Sequence, residues 1–181
     1  GELVRLSVVD GDRLTWVARA QGARQGLRYD PDMGSIARLS CSSSGLAWMA
    51  TLSDDEALAM VSRQGLGSTA AFGPNAPQSL SAFLTMLHDT RARGFAITEE
   101  TYTSGLNAMA APVRLKGRPT MGTLSVAGPS ARLTRDRMQS SGEALLACAD
   151  QLATASSASP LLSRRSDAGN AVHPLQPIYA P

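Results

Sequence analysis

Three serines and a glycine at positions 42–45 form the first feature of this sequence that could do chemistry. They precede a stretch rich in Ala, Leu and Met. Small hydroxyl residues before such a stretch predict the start of a helix, where their oxygens accept hydrogen bonds from free backbone N–H groups. Those N–H groups and the positive end of the helix dipole also bind carboxylates and phosphates. A serine that only caps a helix is the commoner case, so the run by itself leaves both roles open.

A second feature is a pair of segments, 106–115 and 119–127, in which small side chains alternate with large ones. Alternate residues of a strand point to opposite faces of the sheet. If the small faces coincide, the sheet has a hollow side with a few hydroxyls, which suits a small-molecule pocket. A helix packed closely on the small residues explains the pattern equally well. The small residues are Ala108, Ala110 and Pro112 in the first segment, and Thr123, Ser125 and Ala127 in the second.

Enzymatic chemistry has few candidate residues. Cys41 precedes the predicted helix start and could be an activated nucleophile, but only His88 and His173 could serve as its base. Glu99 and Glu100 could form an acid/base pair, although a solvated loop of like charge is the ordinary explanation. The two cysteines and two histidines are far apart in sequence and form no recognisable zinc motif. We therefore predict no catalytic residue, no metal site and no cofactor.

The composition indicates a domain of ordinary size that binds small ligands. Its 181 residues suffice for a well-buried core, and 43% apolar with 18% charged residues excludes a disordered or collagen-like chain. No apolar run approaches the roughly 20 residues that cross a bilayer. The basic residues are scattered and the net charge is only +2, which is a poor footprint for nucleic acid. Two cysteines without metal or redox spacing indicate a cytoplasmic setting with no membrane partner.

The elements that must position these residues form an α+β pattern, in which a sheet is covered by helices. Alternation predicts a hairpin of strands 3–9 and 13–20, and a short third strand around 25–29. The other predicted elements are a helix beginning at 42–45, a helix capped by Ser53 with Glu56 completing a capping box, a helix from Ser79 to Gly94, strands at 95–98, 106–115 and 119–127, and a last helix over 134–154.

The segment 155–181 differs in character from the rest of the chain. It is rich in serine and proline and has no hydrophobic periodicity. We expect it to be an extended C-terminal tail that lies against its own domain or a neighbouring subunit. Its candidate anchors are Leu161, Leu162, Ile178 and Tyr179.

Several blocks of the sequence, taken in order, resemble the effector-binding domain of IclR-type transcriptional regulators. The resemblance covers about residues 3–154 and rests on the ordered set rather than on any one block. The blocks are Val4-Arg5-Leu6-Ser7-Val8, Gly34-Ser35, Leu39-Ser40-Cys41-Ser42-Ser43-Ser44-Gly45-Leu46-Ala47, Arg91-Ala92-Arg93-Gly94-Phe95-Ala96, Glu99-Glu100, Gly105, Ala110-Ala111-Pro112-Val113 and Leu124-Ser125-Val126-Ala127-Gly128-Pro129.

The resemblance implies a GAF-like or profilin-like domain over 1–154, with a curved antiparallel sheet whose concave side binds a small metabolite. It also implies homodimers or homotetramers. Operator DNA would be bound through an N-terminal winged helix-turn-helix domain, of which this chain holds no counterpart. By position, the implied ligand-binding residues are Ser43, Ser44, Gly45, Thr98, Glu99, Ala108, Ser125 and Ala127.

The sequence departs from the family's pattern at several of these positions. Thr98 stands where an acidic residue is usual, Ala108 where cysteine is common and Ala127 where serine occurs. Leu46 replaces a frequent lysine, and Arg38 a frequent proline. With fewer polar groups, we expect a larger and more apolar pocket, suited to an aromatic or medium-sized organic acid.

A ligand alters DNA affinity only if it binds two quaternary arrangements unequally. The Gly-rich segment 28–45 is the part of the domain that we expect to close over the pocket. Two other functions remain open. One is a GAF-like small-molecule sensor of another signalling protein, and the other is a small enzyme that uses Cys41.

Overall fold

The computed structural model describes residues 1–31, 34–67 and 71–157. It confirms the predicted α+β class, with helices on both faces of a five-stranded sheet. The strands are β1 (Leu3–Asp10), β2 (Arg13–Gln21), β3 (Ala96–Glu99), β4 (Leu106–Val113) and β5 (Gly122–Pro129), and the helices are α1 (Ser43–Met49), α2 (Asp54–Gln64), α3 (Leu80–Arg93), α4 (Arg135–Ser140) and α5 (Gly142–Ser157).

The sheet has the strand order β2-β1-β5-β4-β3, and every neighbouring pair is antiparallel. In the β4–β5 pair, Ala108 lies opposite Ala127 and Ala110 lies opposite Ser125. The two small-residue faces therefore coincide, as one of the two interpretations of the alternation required. We call this side of the sheet the inner face.

Each face of the sheet has its own hydrophobic core. On the inner face, α1 and α3 pack on Ala96 and Ala110, so a helix does cover part of the small residues. On the other face, α4 and α5 pack on Met109 and Leu124. Because both faces are covered, polar residues of the strands that point to the inner face are buried as well.

The predicted helix signals are confirmed where they were most specific. Ser42 caps α1 by accepting from the backbone N–H of Gly45, and Ser53 forms a complete capping box with Glu56. Gly94 ends α3 in the left-handed conformation, with φ at 83°. Side-chain caps and a glycine with positive φ satisfy backbone groups that the helix ends leave free.

Three predicted elements differ in the structure. Residues 25–29 form no strand, with bends at 25–27, and the added pairing of β2 is a single bridge between Thr15 and Ile36. The strand predicted over 119–127 begins at Gly122, after a longer loop. The last helix is two helices, because Gly142 begins a new one where its bare Cα lies against the ring of Phe95.

The described residues include only the first three positions of the predicted C-terminal tail, 155–157. Helix α5 continues through Ser157, three residues beyond the predicted end. The anchors proposed for the tail lie outside the described residues, as does His173. The division into a domain over 1–154 and a tail over 155–181 stays a prediction.

Candidate functional site

A narrow pocket opens on the inner face, between the start of α1 and the ends of β4 and β5. Its walls come from the sheet, from the start of α1 and from the loops around Tyr29 and Tyr102. The free space inside is about 20 Å³, room for roughly one water molecule. The lining residues are Arg5, Trp16, Tyr29, Ser42, Ser43, Thr98, Tyr102, Leu106, Asn107, Ala108 and Ala127.

Four of the eight predicted site residues line this pocket. They are Ser43, Thr98, Ala108 and Ala127. Ala108 and Ala127 face each other across the β4–β5 pair and form part of its floor, while Thr98 donates to the backbone carbonyl of Ala108 over 3.2 Å. The small-residue face and the serine run thus meet at one place in the structure.

The other four predicted site residues do not line the pocket. Ser44 is 1% exposed, so a bulky side chain there would disturb the fold rather than only fill a ligand site. Gly45 is needed for packing, since a Cβ would lie 2.5 Å from Leu39 Cα. Ser125 donates to the backbone carbonyl of Arg5 over 3.3 Å. Glu99 turns outward and pairs with Arg135, whose Nη2 lies 2.5 Å from its carboxylate.

The start of α1 is less open to an anion than the serine run indicated. Ser42 Oγ accepts from the N–H of Gly45 at 3.0 Å and donates to the carbonyl of Arg38 at 2.6 Å. The capping side chain thereby satisfies one of the free N–H groups. The helix has only seven residues, and it serves mainly to place Ser42 and Ser43 at the pocket wall.

Arg5 carries the charge of the pocket lining, and it is among the lining residues that the sequence interpretation did not select. Only 6% of its surface is exposed, and its guanidinium lies over the ring of Trp16, 4.0 Å from the ring centroid. The ring of Tyr29 lies on it as well, at 5.6 Å. Burial lowers the pKa of Arg5, and the nearby Tyr29 and Tyr102 oppose that shift. The cation is thus held by aromatic rings inside the protein.

A signal for Arg5 was present in the sequence. The alternation of the first strand placed Arg5 and Ser7 opposite the apolar Val4 and Leu6, which ordinarily means a solvated face. The sequence also predicted enough helices to cover both faces of a sheet. A polar residue in the middle of such a strand points into the interior, where it needs a reason to be there.

No carboxylate of the described residues neutralises Arg5. The pocket lining contains no Asp or Glu, and the ion pairs of the described chain leave Arg5 out. By contrast, Arg132 pairs with both carboxylate oxygens of Glu2, at 3.0 and 3.1 Å. Arg5 therefore gives the pocket one uncompensated positive charge.

Two buried polar atoms at the pocket have no hydrogen-bond partner. In the described residues, four buried side-chain nitrogen or oxygen atoms lack a hydrogen-bond partner. Two of them belong to residues whose side chains lie at the pocket, Arg5 Nε and Trp16 Nε1. Asn107 Oδ1 lies on the other face of the sheet, where Nδ2 of the same side chain donates to the carbonyl of Leu133. Folded proteins satisfy most buried polar atoms, so such a group indicates a place for a partner that is not part of the chain.

The loop that carries Tyr29 is tied to β2 by polar contacts. Arg19 Nη1 lies 2.5 Å from a carboxylate oxygen of Asp30, and Gln21 Nε2 donates to the carbonyl of Tyr29 over 2.9 Å. Across the pocket, the ring of Tyr102 meets Trp16 edge to face, with centroids 6.0 Å apart. Burial raises the pKa of both tyrosines. The pocket walls are thus largely aromatic and uncharged.

These observations correct one expectation. The pocket was predicted to be large and apolar because Thr98, Ala108 and Ala127 replace polar residues of the family's pattern. It is narrow instead, because Arg5 and the aromatic rings around it occupy the space that the small residues leave.

The structure is unfavourable to chemistry at Cys41. The residue is fully buried, and burial raises the pKa of its thiol to about 12. A thiol with that pKa is protonated near neutral pH and is a poor nucleophile. His88 lies elsewhere, with its Nε2 2.9 Å from a carboxylate oxygen of Asp54.

The described residues hold neither a candidate metal cluster nor a candidate membrane-spanning helix. No three His, Cys, Asp or Glu side chains within 1–31, 34–67 and 71–157 are grouped so that they could hold a metal ion. None of the helices there is long and apolar enough to cross a membrane.

Comparison with known proteins agrees with this architecture. The family model for the bacterial transcriptional regulator IclR C-terminal domain matches residues 1–154. The HTH-type transcriptional repressor AllR of Salmonella typhimurium is 27% identical over 155 residues, which cover 86% of this chain and 56% of that protein. AllR of Escherichia coli is 26% identical over the same length. The chain thus spans about half the length of these relatives.

Solved structures show the same fold. The IclR protein of Thermotoga maritima superposes with a TM-score of 0.74 at 19% identity, covering 86% of this chain and 61% of that one. The inducer-binding domain of PobR from Acinetobacter, solved as a double mutant with 3-hydroxybenzoic acid, has a TM-score of 0.70 at 20% identity, with 84% and 87% covered. The family match over residues 1–154 shows that the chain belongs to the IclR family of bacterial transcriptional regulators and carries its C-terminal domain.

Proposed function

We propose that this domain senses a small organic acid, which binds in the inner-face pocket. The observation that carries the proposal is the buried and unsatisfied guanidinium Nε of Arg5, which lies there beside the unsatisfied indole Nε1 of Trp16. Leaving such groups unpaired costs about 1–3 kcal/mol each, a cost that a bound ligand removes. A small molecule with an acidic group and polar substituents has the complementary chemistry.

Family membership supports the same function. PobR, one of the proteins that share this fold, has an inducer-binding domain solved with an aromatic acid. An aromatic or medium-sized organic acid is compatible with the ring-lined walls at Trp16, Tyr29 and Tyr102. The pocket must widen to admit such a ligand, because its free space is about 20 Å³. The Tyr29 loop is the wall that we expect to move, since residues 22–31 belong to no strand or helix and the loop is held to β2 there by side-chain contacts.

The remainder of the proposal concerns the whole regulator. We infer that the domain works as a homodimer or homotetramer in the cytoplasm, and that operator DNA is bound through a winged helix-turn-helix domain outside this chain. Ligand binding would change operator affinity by favouring one quaternary arrangement. Exposed apolar side chains near the β2 edge, Val17 and Ile36, are compatible with contact between copies. Light scattering of the purified domain tests the oligomeric state.

Titration calorimetry with a panel of organic acids tests the ligand proposal. The panel includes two- and three-carbon acids, medium-sized aliphatic acids and benzoic acids. We expect the benzoic or medium-sized acids to bind most tightly. Tight binding of glyoxylate-sized acids alone would overturn the size assignment, and no binding by any acid would overturn the proposed function.

A matched pair of variants assigns any binding to this pocket. Ala108→Phe places a ring in the pocket, whereas Ala82→Phe places the same ring on the exposed side of α3. We expect the first change to abolish acid binding and the second to leave it intact. Equal affinity of both variants would show that the acid binds somewhere else.

A further inference from the structure

We infer that Arg5 sets the charge of the effector, so that the pocket selects a planar acid with a single negative charge. The inference rests on the proposed function, since it concerns the ligand of the same pocket. It assigns Arg5, on β1, as the residue that determines which organic acids are accepted.

The described lining of the pocket carries a single charge. The guanidinium of Arg5 is the only charged group among the lining residues that the structure describes. One cation without a carboxylate partner is balanced by one anionic group. A dicarboxylate would bring a second charge into walls made of Trp16, Tyr29 and Tyr102, where nothing charged meets it. A neutral ligand would leave the charge of Arg5 as it is.

The groups around Arg5 favour a planar ligand. Trp16 lies under the guanidinium at 4.0 Å, and Tyr29 lies 5.6 Å from it. A planar carboxylate pairs with a planar guanidinium through two parallel hydrogen bonds, in the plane of the fork. The unsatisfied Nε of Arg5 is one of the donors that such a pair uses. A carboxylate bound this way lies in the plane of a guanidinium that is over the Trp16 ring, and a coplanar ring attached to it continues along the aromatic walls.

Arg5 also fills part of the inner face beside the small residues. Its side chain takes up space that the small residues Ala108 and Ala127 leave on the inner face. A ligand therefore meets Arg5 wherever it enters this part of the sheet. Because Arg5 lies on a central strand, its backbone is fixed, and only the side chain adjusts. Charge selection thus depends on one residue with a fixed backbone rather than on the Tyr29 loop.

The test compares ligands that differ only in charge or planarity. The probes are benzoate, the neutral isostere benzamide, the dianion isophthalate and the non-planar monoanion cyclohexanecarboxylate, each titrated by calorimetry. We expect the unmodified domain to prefer benzoate to benzamide by roughly tenfold to a hundredfold, as a charge-assisted bidentate pair implies. Isophthalate and cyclohexanecarboxylate should both bind more weakly than benzoate.

Variants then assign the preference to Arg5. Arg5→Gln should bring benzoate and benzamide to within about threefold of each other, while Arg5→Lys should keep part of the preference for the anion. Arg132→Gln is the matched control, because it removes an arginine paired with Glu2 outside the pocket, and it should keep the full preference. Circular dichroism and thermal unfolding confirm that each variant is folded.

The outcomes separate the two proposals. If the unmodified domain binds benzamide as tightly as benzoate, or if Arg5→Gln keeps the preference, the charge-selection inference is wrong and the sensor function stands. If isophthalate binds most tightly, the single-charge assignment is wrong. If none of the four probes and none of the acid panel binds, the proposed function itself fails.

Discussion

Replacing the buried arginine of the pocket should stabilise the ligand-free domain. In Arg5→Met, an unbranched apolar side chain of similar length takes the place of a cation that is 6% exposed and has no carboxylate partner in the described residues. Most substitutions in a protein interior destabilise it. An increase in stability here would mean that the arginine is kept for binding rather than for folding, as is common for functional sites.

The magnitude follows from two contributions. The variant loses the interaction of the guanidinium with Trp16, worth about 2 kcal/mol at a desolvated site. It regains about 1–3 kcal/mol because Nε no longer lacks a partner. This cost is part of the desolvation penalty of the buried ion, several kcal/mol in proteins, which the variant removes as a whole. The net expectation is a gain of about 1–3 kcal/mol in the free energy of unfolding.

Urea denaturation at pH 7, without ligand, measures this change. Arg132→Met is the matched control, because Arg132 is 38% exposed and paired with Glu2, so its loss should lower stability by about 0–1 kcal/mol. If Arg5→Met is less stable than the unmodified domain by 1 kcal/mol or more, the cation is satisfied by the fold. The argument that its charge is available to a ligand would then be refuted.

Three other predictions test the structure away from Arg5. Iodoacetamide under native conditions should modify the exposed Cys148 and spare Cys41, whose thiol has its pKa raised to about 12 by burial, giving one adduct by mass spectrometry; two adducts in the native state would contradict this. Asp54→Asn should lower stability at pH 7, because hydrogen bonds to an arginine and a histidine lower the pKa of that carboxyl. The loss should shrink as the pH falls below the ordinary value of 3.8 and through the lowered pKa, where the native carboxyl becomes protonated; an equal loss at pH 2 and pH 7 in chemical denaturation would be inconsistent with it. Gly45→Ala should cost about 1–3 kcal/mol because its Cβ would meet backbone, whereas the exposed Ser81→Ala should be nearly neutral; equal unfolding midpoints would show that the close approach is absent.

Local signals in the sequence predicted much of this fold. The caps at Ser42, Ser53 and Ser79 and the glycine at Gly94 depend on backbone groups within a few residues, so a sequence pattern is sufficient to find them. The alternation of small and large residues in β4 and β5 was visible in the sequence. Whether their small faces coincide depended on the register of the strand pairing.

The candidate site was less predictable because it depends on tertiary packing. Nothing local to Arg5 shows that helices cover both faces of the sheet, so its burial on Trp16 appears only when β1 and β2 are assembled. Ser125 and Glu99 occupy the expected strands, but their side chains are used by a backbone carbonyl and by Arg135. The resemblance to the family pointed to the part of the sheet where the candidate pocket lies. The hydrogen bonds and ion pairs of each side chain depended on its neighbours in the fold.

The central claim is that this domain binds a small organic acid beside Arg5. A crystal structure of the domain soaked with benzoate tests it most directly. The account predicts density for one planar acid between the Arg5 guanidinium and the wall formed by Ala108 and Ala127. Its carboxylate should lie within hydrogen-bond distance of Arg5 Nε. An unchanged pocket at saturating benzoate, or an acid bound away from Arg5, would contradict the account.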